Sequence, residues 1–190
     1  MVDPLQIMLV LIAFFSALFV AITEGFSLTL GYRGSEEARN RKERIDSKLR
    51  NEVETEMNRF LESDECKKGT EKRMRIFEEL GYKAYIAEDL TSDILNKSHS
   101  FMKGSIMYLA GALFILFLTT LIAVYFDITE VLMFILFVVY LVSAVFYFWS
   151  AVKRLKKSYF LREKFITLDE NPTLESAMNL HDELVDRELL

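Results

Sequence analysis

The chain has 190 residues, of which 52% are hydrophobic and 27% are charged, with a formal net charge of −5. The two kinds of residue occupy different stretches, which indicates apolar spans joined by water-exposed helices and excludes two globular soluble domains. Cys66 is the single cysteine, so an internal disulfide is excluded. Two prolines and seven glycines leave few positions that would interrupt a helix, so an almost entirely helical chain is predicted.

Residues 1–32 are predicted to form the first membrane-spanning segment, with an uncharged apolar stretch at residues 5–23. The 19 residues of this stretch carry no charge, and a bilayer core of about 30 Å needs roughly that length at about 1.5 Å per residue. Residues 1–4 lack a basic residue and the run is too long for a cleavable signal, so none is expected. The apolar character continues past Glu24 to Tyr32. Glu24 is either a functional group within the membrane or a headgroup-level side chain that reaches water.

Residues 33–100 are predicted to form a cytosolic helical hairpin. Ser35 is a candidate N-cap for its first helix. Apolar residues then recur at steps of three and four in a narrow stripe that suits a coiled-coil partner better than a broad core: Ile45, Leu49, Val53, Met57 and Phe60.

The second helix of this hairpin is predicted to start at Thr70, after a break at residues 63–69. Gly81 is expected to be its C′ residue. Residues 82–90 favour helix or loop, because a lone strand would have no partner. Ser92 is expected to cap a further helix that leads into the next span.

Two more spans are predicted at residues 104–126 and 131–152. Only residues 127–130 separate them, so residues 101–152 form an antiparallel transmembrane hairpin. Basic residues follow the first and third spans, whereas the N-terminus and the 127–130 turn carry none. The positive-inside rule therefore predicts an N-terminus that is outside or lumenal, and a cytosolic hairpin and C-terminus.

The tail, residues 153–190, is basic at first and then acidic. Asn171 is a candidate N-cap and Pro172 a candidate first helical residue. From residue 165 onwards there are seven acids and one arginine, so this helix is predicted to avoid anionic lipid and to dock on the protein or on a partner. Its expected inward face comprises Leu174, Met178, His181 and Val185.

The order of these segments resembles the three-span core of the YidC/Oxa-type membrane-protein insertase superfamily. The end of the first span is most similar to the eukaryotic transmembrane-and-coiled-coil-domain branch. The chain departs from the family in its nearly charge-balanced hairpin, its short 127–130 connection and the absence of the first-span arginine of bacterial members. The matching positions are Glu24, Gly25, Ser27, Leu30, Tyr32, Arg33, Met102, Lys103, Phe126 and Asp127.

The resemblance implies an insertase, or a translocon-associated intramembrane chaperone, that passes client transmembrane segments through a polar groove open to the cytosol. The implied partners are the lipid bilayer, client spans, a translocon or ribosome contacting the hairpin, and a partner subunit or second copy. The membrane would be that of the endoplasmic reticulum in a eukaryote and the plasma membrane in a prokaryote. No cofactor is implied.

A polar groove needs hydroxyls, amides or charges aligned on one helix face, because a polar client flank is costly to move through hydrocarbon. Each predicted span has such an alignment. The alternative is that these hydroxyls pack the helices together and bond to carbonyls one turn earlier. The candidates are Ser16, Thr23, Glu24 and Ser27 on the first span, Ser105, Thr119 and Thr120 on the second, and Ser143 and Ser150 on the third.

Two other functions fit the sequence. Asp127 and Glu130 would form a carboxylate ring in a homo-oligomeric cation channel, or they simply cap a helix start. A membrane scaffold that recruits a partner through its coiled coil is the second. An enzyme is not expected, since His99 and His181 have no catalytic neighbourhood and no phosphate loop, metal cluster or nucleophile motif is present. Sequence-specific binding of nucleic acid is not expected either.

Overall fold

The computed structural model describes residues 36–63, Cys66 and residues 70–125 and 130–190, together with scattered helical positions between residues 10 and 24. The side chains of residues 70, 120, 123–125, 130, 131 and 133 lie outside this description. Most of the predicted first span, the candidate cap Ser35 and the 127–130 turn up to residue 129 also lie outside the described residues.

Beyond the scattered helical positions between residues 10 and 24, the described residues form four helices and no strand. They are α1 (Glu36–Glu62), α2 (Thr70–Tyr125), α3 (Glu130–Glu170) and α4 (Leu174–Asp186). The prediction of an all-helical chain is therefore confirmed. Both α2 and α3 contain a stretch that is long and apolar enough to cross a membrane. These two stretches include most of the predicted second and third spans.

Helix α2 runs through two positions at which the sequence predicted a boundary. Gly81 is not a C′ residue and Ser92 is not an N-cap, because both lie inside a helix of 56 residues. A glycine in a helix interior costs about 1 kcal/mol relative to alanine. Burial of Leu80, Ile86 and Leu90 on the inward face of α2 outweighs that local cost.

The chain divides into two compact units. The apolar unit consists of Met1–Leu30 and Ser100–Ser158, and the polar unit consists of Gly31–His99 and Tyr159–Leu190. Most of the predicted tail thus belongs to the same unit as the predicted hairpin. Each unit contains part of α2 and part of α3.

In the polar unit, α1 and the first part of α2 run antiparallel. Phe60 and Phe77 make an edge-to-face contact with 5.4 Å between ring centroids. Further along, Lys83 Nζ donates to Glu56 Oε2 at 2.8 Å. The predicted stripe of α1 faces inward: Ile45, Leu49, Val53 and Phe60 are buried and Met57 is half-buried.

Helix α4 packs into the polar unit, which agrees with one of the two predicted alternatives for the acidic tail, docking on the protein itself. The backbone N–H of Leu174 donates to Glu52 Oε2 on α1 at 2.6 Å. Lys164 Nζ on α3 pairs with Glu183 Oε2 at 2.6 Å.

The predicted start and face of α4 were wrong in detail. Thr173, not Asn171, is the N-cap, and its hydroxyl accepts from the Ser176 N–H. Residues 171–173 are needed for the connection because α3 continues to Glu170. Of the predicted face, Leu174 is buried and Met178 and His181 are half-buried, but Val185 is 47% exposed. The other buried residues of the helix are Ala177, Leu180 and Leu184.

In the apolar unit, α2 and α3 also pack antiparallel. Ser105 Oγ on α2 donates to the Ala151 carbonyl on α3 at 2.9 Å. Closer to the connection between the helices, a Cβ on Gly111 would lie 3.1 Å from the Tyr147 ring, so the absent side chain permits this close approach. The other faces carry large exposed apolar side chains, among them Phe114, Phe134, Phe146 and Trp149.

Candidate functional site

The candidate site lies where α2 and α3 face each other in the apolar unit. Tyr140 is buried there in a cluster with Leu116 and Ala144, with 1% of its surface exposed. Ala144 lies one turn further along α3 and is 5% exposed. The Tyr140 hydroxyl has no hydrogen-bond partner among the described residues.

An unpartnered hydroxyl in an apolar environment is costly. Mutational data put the penalty at about 1–3 kcal/mol. The Tyr140 hydroxyl is both a donor and an acceptor. The hydroxyl can therefore donate a hydrogen bond to a polar group that reaches it, or accept one from it.

Three of the predicted groove hydroxyls donate to backbone carbonyls. Thr119 Oγ1 donates to Ile115 O at 2.7 Å and Ser143 Oγ to Val139 O at 2.8 Å, each one turn back in its own helix. Ser105 bonds across to α3, as described above. These bonds agree with the alternative interpretation, in which the hydroxyls pack the helices together or bond to carbonyls one turn earlier. The hydroxyl oxygens of Thr119 and Ser143 can still accept a hydrogen bond from another group.

The remaining predicted residues are dispersed. Glu24 and Ser16 are helical and exposed, and Ser150 is half-buried. Met102 is buried at 1% exposure and Lys103 is exposed. The side chains of Thr120 and Glu130 lie outside the description. So do these residues in their entirety: Thr23, Gly25, Ser27, Leu30, Tyr32, Arg33, Phe126 and Asp127.

Tyr140 is the residue that sequence reasoning missed. The aligned hydroxyls that predict a groove are those of serine and threonine, and they do not include a tyrosine. A signal was present, because tyrosines of membrane helices concentrate at the two interfaces. Tyr140 instead lies near the middle of the predicted span 131–152.

The charged groups of the polar unit pair with one another and connect its helices. Asp169 at the end of α3 lies 3.2 Å from Arg41 Nη1 and 3.0 Å from Arg44 Nε on α1. Across the described part of the chain, no three His, Cys, Asp or Glu side chains are grouped so that they could hold a metal ion.

His181 belongs to a small contact between α4 and α2. Its Nδ1 lies 3.0 Å from the hydroxyl of Tyr82, which also donates to Asp182 Oδ1 at 3.2 Å. Partial burial, followed by the hydrogen bond to Asp182, raises the pKa of Tyr82. The contact anchors α4 and gives His181 a structural role.

Comparison with known proteins finds no matching family model, no matching curated protein and no matching solved structure. The resemblance to the YidC/Oxa-type insertases therefore stays a prediction that depends on the sequence motif and the order of segments.

Proposed function

We propose that this chain is a three-span membrane protein that acts as an insertase or intramembrane chaperone for client transmembrane segments. Its N-terminus lies outside or in the lumen, and its polar unit and C-terminus lie in the cytosol. Two observations support the membrane placement. Helices α2 and α3 are long and apolar enough to cross a bilayer, and their large apolar side chains are mostly exposed, as lipid contact requires.

The unpartnered hydroxyl of Tyr140 carries the insertase proposal. A polar client flank costs several kcal/mol in hydrocarbon, and an interhelical hydrogen bond in a membrane returns about 0.6–2 kcal/mol. One hydroxyl is therefore too little, and several acceptors along a path are needed. The free lone pairs of Thr119 and Ser143, on the same two helices as Tyr140, supply them. Glu24 would add a charge near the cytosolic end.

The polar unit is the proposed contact with a translocon or ribosome. The end of its α1–α2 pair, next to residues 63–69, exposes apolar side chains. Met74 is 64% exposed and Leu61 is 51% exposed. Arg73 lies over the ring of the neighbouring Phe77 at 5.7 Å. A surface that mixes exposed apolar groups with an arginine is typical of an interaction site.

Replacement of Tyr140 by phenylalanine tests the proposal. Tyr140→Phe removes one oxygen and keeps the ring, so the fold and helix packing stay intact. In proteoliposomes, we expect it to lower insertion of clients with charged flanks and to leave clients with apolar flanks unaffected. Tyr147→Phe is the matched control, because it removes a tyrosine hydroxyl from the same helix at a half-buried position. Equal insertion of charged-flank clients by all three proteins would refute the role of Tyr140.

A membrane scaffold is the second candidate. The hydrogen bond of Ser105 favours it, because it joins α2 to α3 and so serves helix packing. The donated hydrogen bonds of Thr119 and Ser143 stay within their own helices. A scaffold would insert neither class of client above the level of empty liposomes. It would still recruit a partner through the polar unit.

A further inference from the structure

One end of the apolar unit carries an uncompensated positive charge. It is the end at which α2 enters and α3 leaves, and residues 100–126 and 131–158 contain no acidic residue. Throughout the described ranges, none of its five cations forms an ion pair. They are Lys103, Lys153, Arg154, Lys156 and Lys157.

The Arg154 side chain packs against residues of α2 instead of extending into solvent. Its Cζ lies 5.0 Å from the centroid of the Tyr108 ring. The Tyr147 ring backs Tyr108, with 5.8 Å between centroids. The guanidinium also lies against the backbone of Gly104, where an added Cβ would be only 2.7 Å from Arg154 Nη1.

A cation–π contact uses the charge of the guanidinium and does not consume its N–H donors. Within the described part of the chain those donors have no hydrogen-bond acceptor. Lys157 is fixed in a similar way one turn further along α3, with Nζ 5.4 Å from the Phe101 centroid. Residues three apart share a helix face, so the two cations point to the same side.

We propose that Arg154 and Lys157 form a binding site for the phosphate of an anionic phospholipid. A planar guanidinium matches two phosphate oxygens at once, and an ammonium adds a second charge. The site lies directly after the predicted third span, at headgroup level. Exposed apolar side chains precede it on α3, within the predicted span where acyl chains would lie: Trp149 is 70% exposed and Phe146 63%. The proposal needs α2 and α3 to cross a membrane but is independent of insertase activity.

Trp149 provides a built-in reporter of this site. It is the only tryptophan of the chain. It precedes Arg154 by five residues, about 7.5 Å along a helix at about 1.5 Å per residue. Bromine atoms on lipid acyl chains quench tryptophan fluorescence on contact. Full-length protein is therefore reconstituted into mixed vesicles of phosphatidylglycerol and phosphatidylcholine, with the bromine on one lipid or on the other.

If the site exists, brominated phosphatidylglycerol quenches Trp149 several-fold more effectively than the same fraction of brominated phosphatidylcholine. The double variant Arg154→Gln/Lys157→Gln is expected to lose this preference. The matched control Lys153→Gln/Lys156→Gln removes the same charge from exposed positions of the same helix and is expected to keep most of it. If both double variants lose the preference for phosphatidylglycerol equally, general surface charge explains it and the specific site is refuted. The absence of a preference in the unmodified protein would also refute the site.

Gly104→Ala gives a test that leaves the charge unchanged. Its Cβ displaces the guanidinium from the Tyr108 ring, so the preference for phosphatidylglycerol should fall, and an unchanged preference would contradict the stacked geometry. Replacing chloride by inorganic phosphate at constant ionic strength is expected to leave the ratio unaltered. Loss of the ratio in phosphate would assign the site to a soluble anion and overturn the lipid proposal. Far-UV circular dichroism and Trp149 emission in pure phosphatidylcholine check that each variant is folded.

Discussion

Thr91 on α2 donates a hydrogen bond of 2.7 Å to the carboxylate of Asp46 on α1. Both residues are buried, with 1% and 9% of their surface exposed. The second carboxylate oxygen accepts from Lys42, one turn earlier on α1. This contact fixes the register of the antiparallel pair, because a shift by one turn would leave a buried carboxylate short of a donor.

Replacing Thr91 by valine should destabilise the protein by about 1–3 kcal/mol, the penalty for leaving a buried polar group without its partner. Valine keeps the shape and the β-branch of threonine, so helix propensity changes little. The measurement is the unfolding free energy of the full chain in mild detergent, followed by circular dichroism. Thr55→Val is the control, since Thr55 is exposed and donates only to its own helix, at Asn51 O. Equal stability of the two variants would contradict the role of Thr91.

The inward face of α1 could be predicted, but the polar residue on it could not. Ile45, Leu49 and Val53 follow the helical period, so burial of that face needs no knowledge of the partner. Nothing in the sequence distinguishes Asp46 from the other charged residues of this helix, which are expected to face water. Its burial depends on Thr91, which is 45 positions away in sequence and contributes the donor only after the two helices have packed.

Local signals failed where packing outweighed them. Gly81 suggests a helix end, yet α2 continues because its inward face stays buried on both sides of the glycine. At Tyr140 the hydrophobic pattern of the local sequence gives no signal for burial. All faces of the apolar segment of α3 are hydrophobic, so periodicity cannot identify the inward one. That choice depends on the close approach of α2, which Gly111 permits.

Lys83 should make stability fall at alkaline pH. Its ammonium contacts Glu56 at 2.8 Å and Glu79 at 3.0 Å, with 16% of its side chain exposed. The hydrogen bond to Glu56 is the main cause that raises the pKa of Lys83 above its ordinary value of 10.5, although burial opposes it. Because the pKa of Lys83 is higher in the folded than in the unfolded protein, its charged form stabilises the fold. This contribution is complete at pH values below the pKa of the unfolded state. That stability is lost as the pH rises through the folded pKa.

The corresponding experiment compares the unmodified protein with Lys83→Gln between about pH 8 and pH 12, a range that spans the ordinary lysine pKa. The unfolding free energies should differ by a constant amount below about pH 10 and converge above it. Tyr82 is present in both proteins, so its own titration cancels. A difference that persists unchanged to pH 12 would contradict the assignment.

The proposed topology predicts which cysteines can be labelled from outside the cell. A cysteine at Thr129, introduced into a Cys66→Ser background, should react with an impermeant maleimide in intact cells. The natural Cys66, which is half-buried, should react only after the membrane is permeabilised. Labelling of Cys66 in intact cells would reverse the orientation and would remove the basis for the family resemblance.

Glu24 offers the sharpest distinction between the insertase and the channel. It is helical and exposed at the end of the predicted first span, where an ionised carboxylate is costly unless water or a donor reaches it. Glu24→Leu removes that cost, so the helical content and thermal stability of the protein should not fall. Insertion of clients with charged flanks should nevertheless drop in proteoliposomes, while clients with apolar flanks insert as before.

In a channel the working acids would instead be Asp127 and Glu130. Their double alanine variant would abolish cation flux, which Glu24→Leu would leave intact. Equal insertion of both client classes by Glu24→Leu and the unmodified protein would exclude Glu24 from the groove, whatever the outcome at Tyr140.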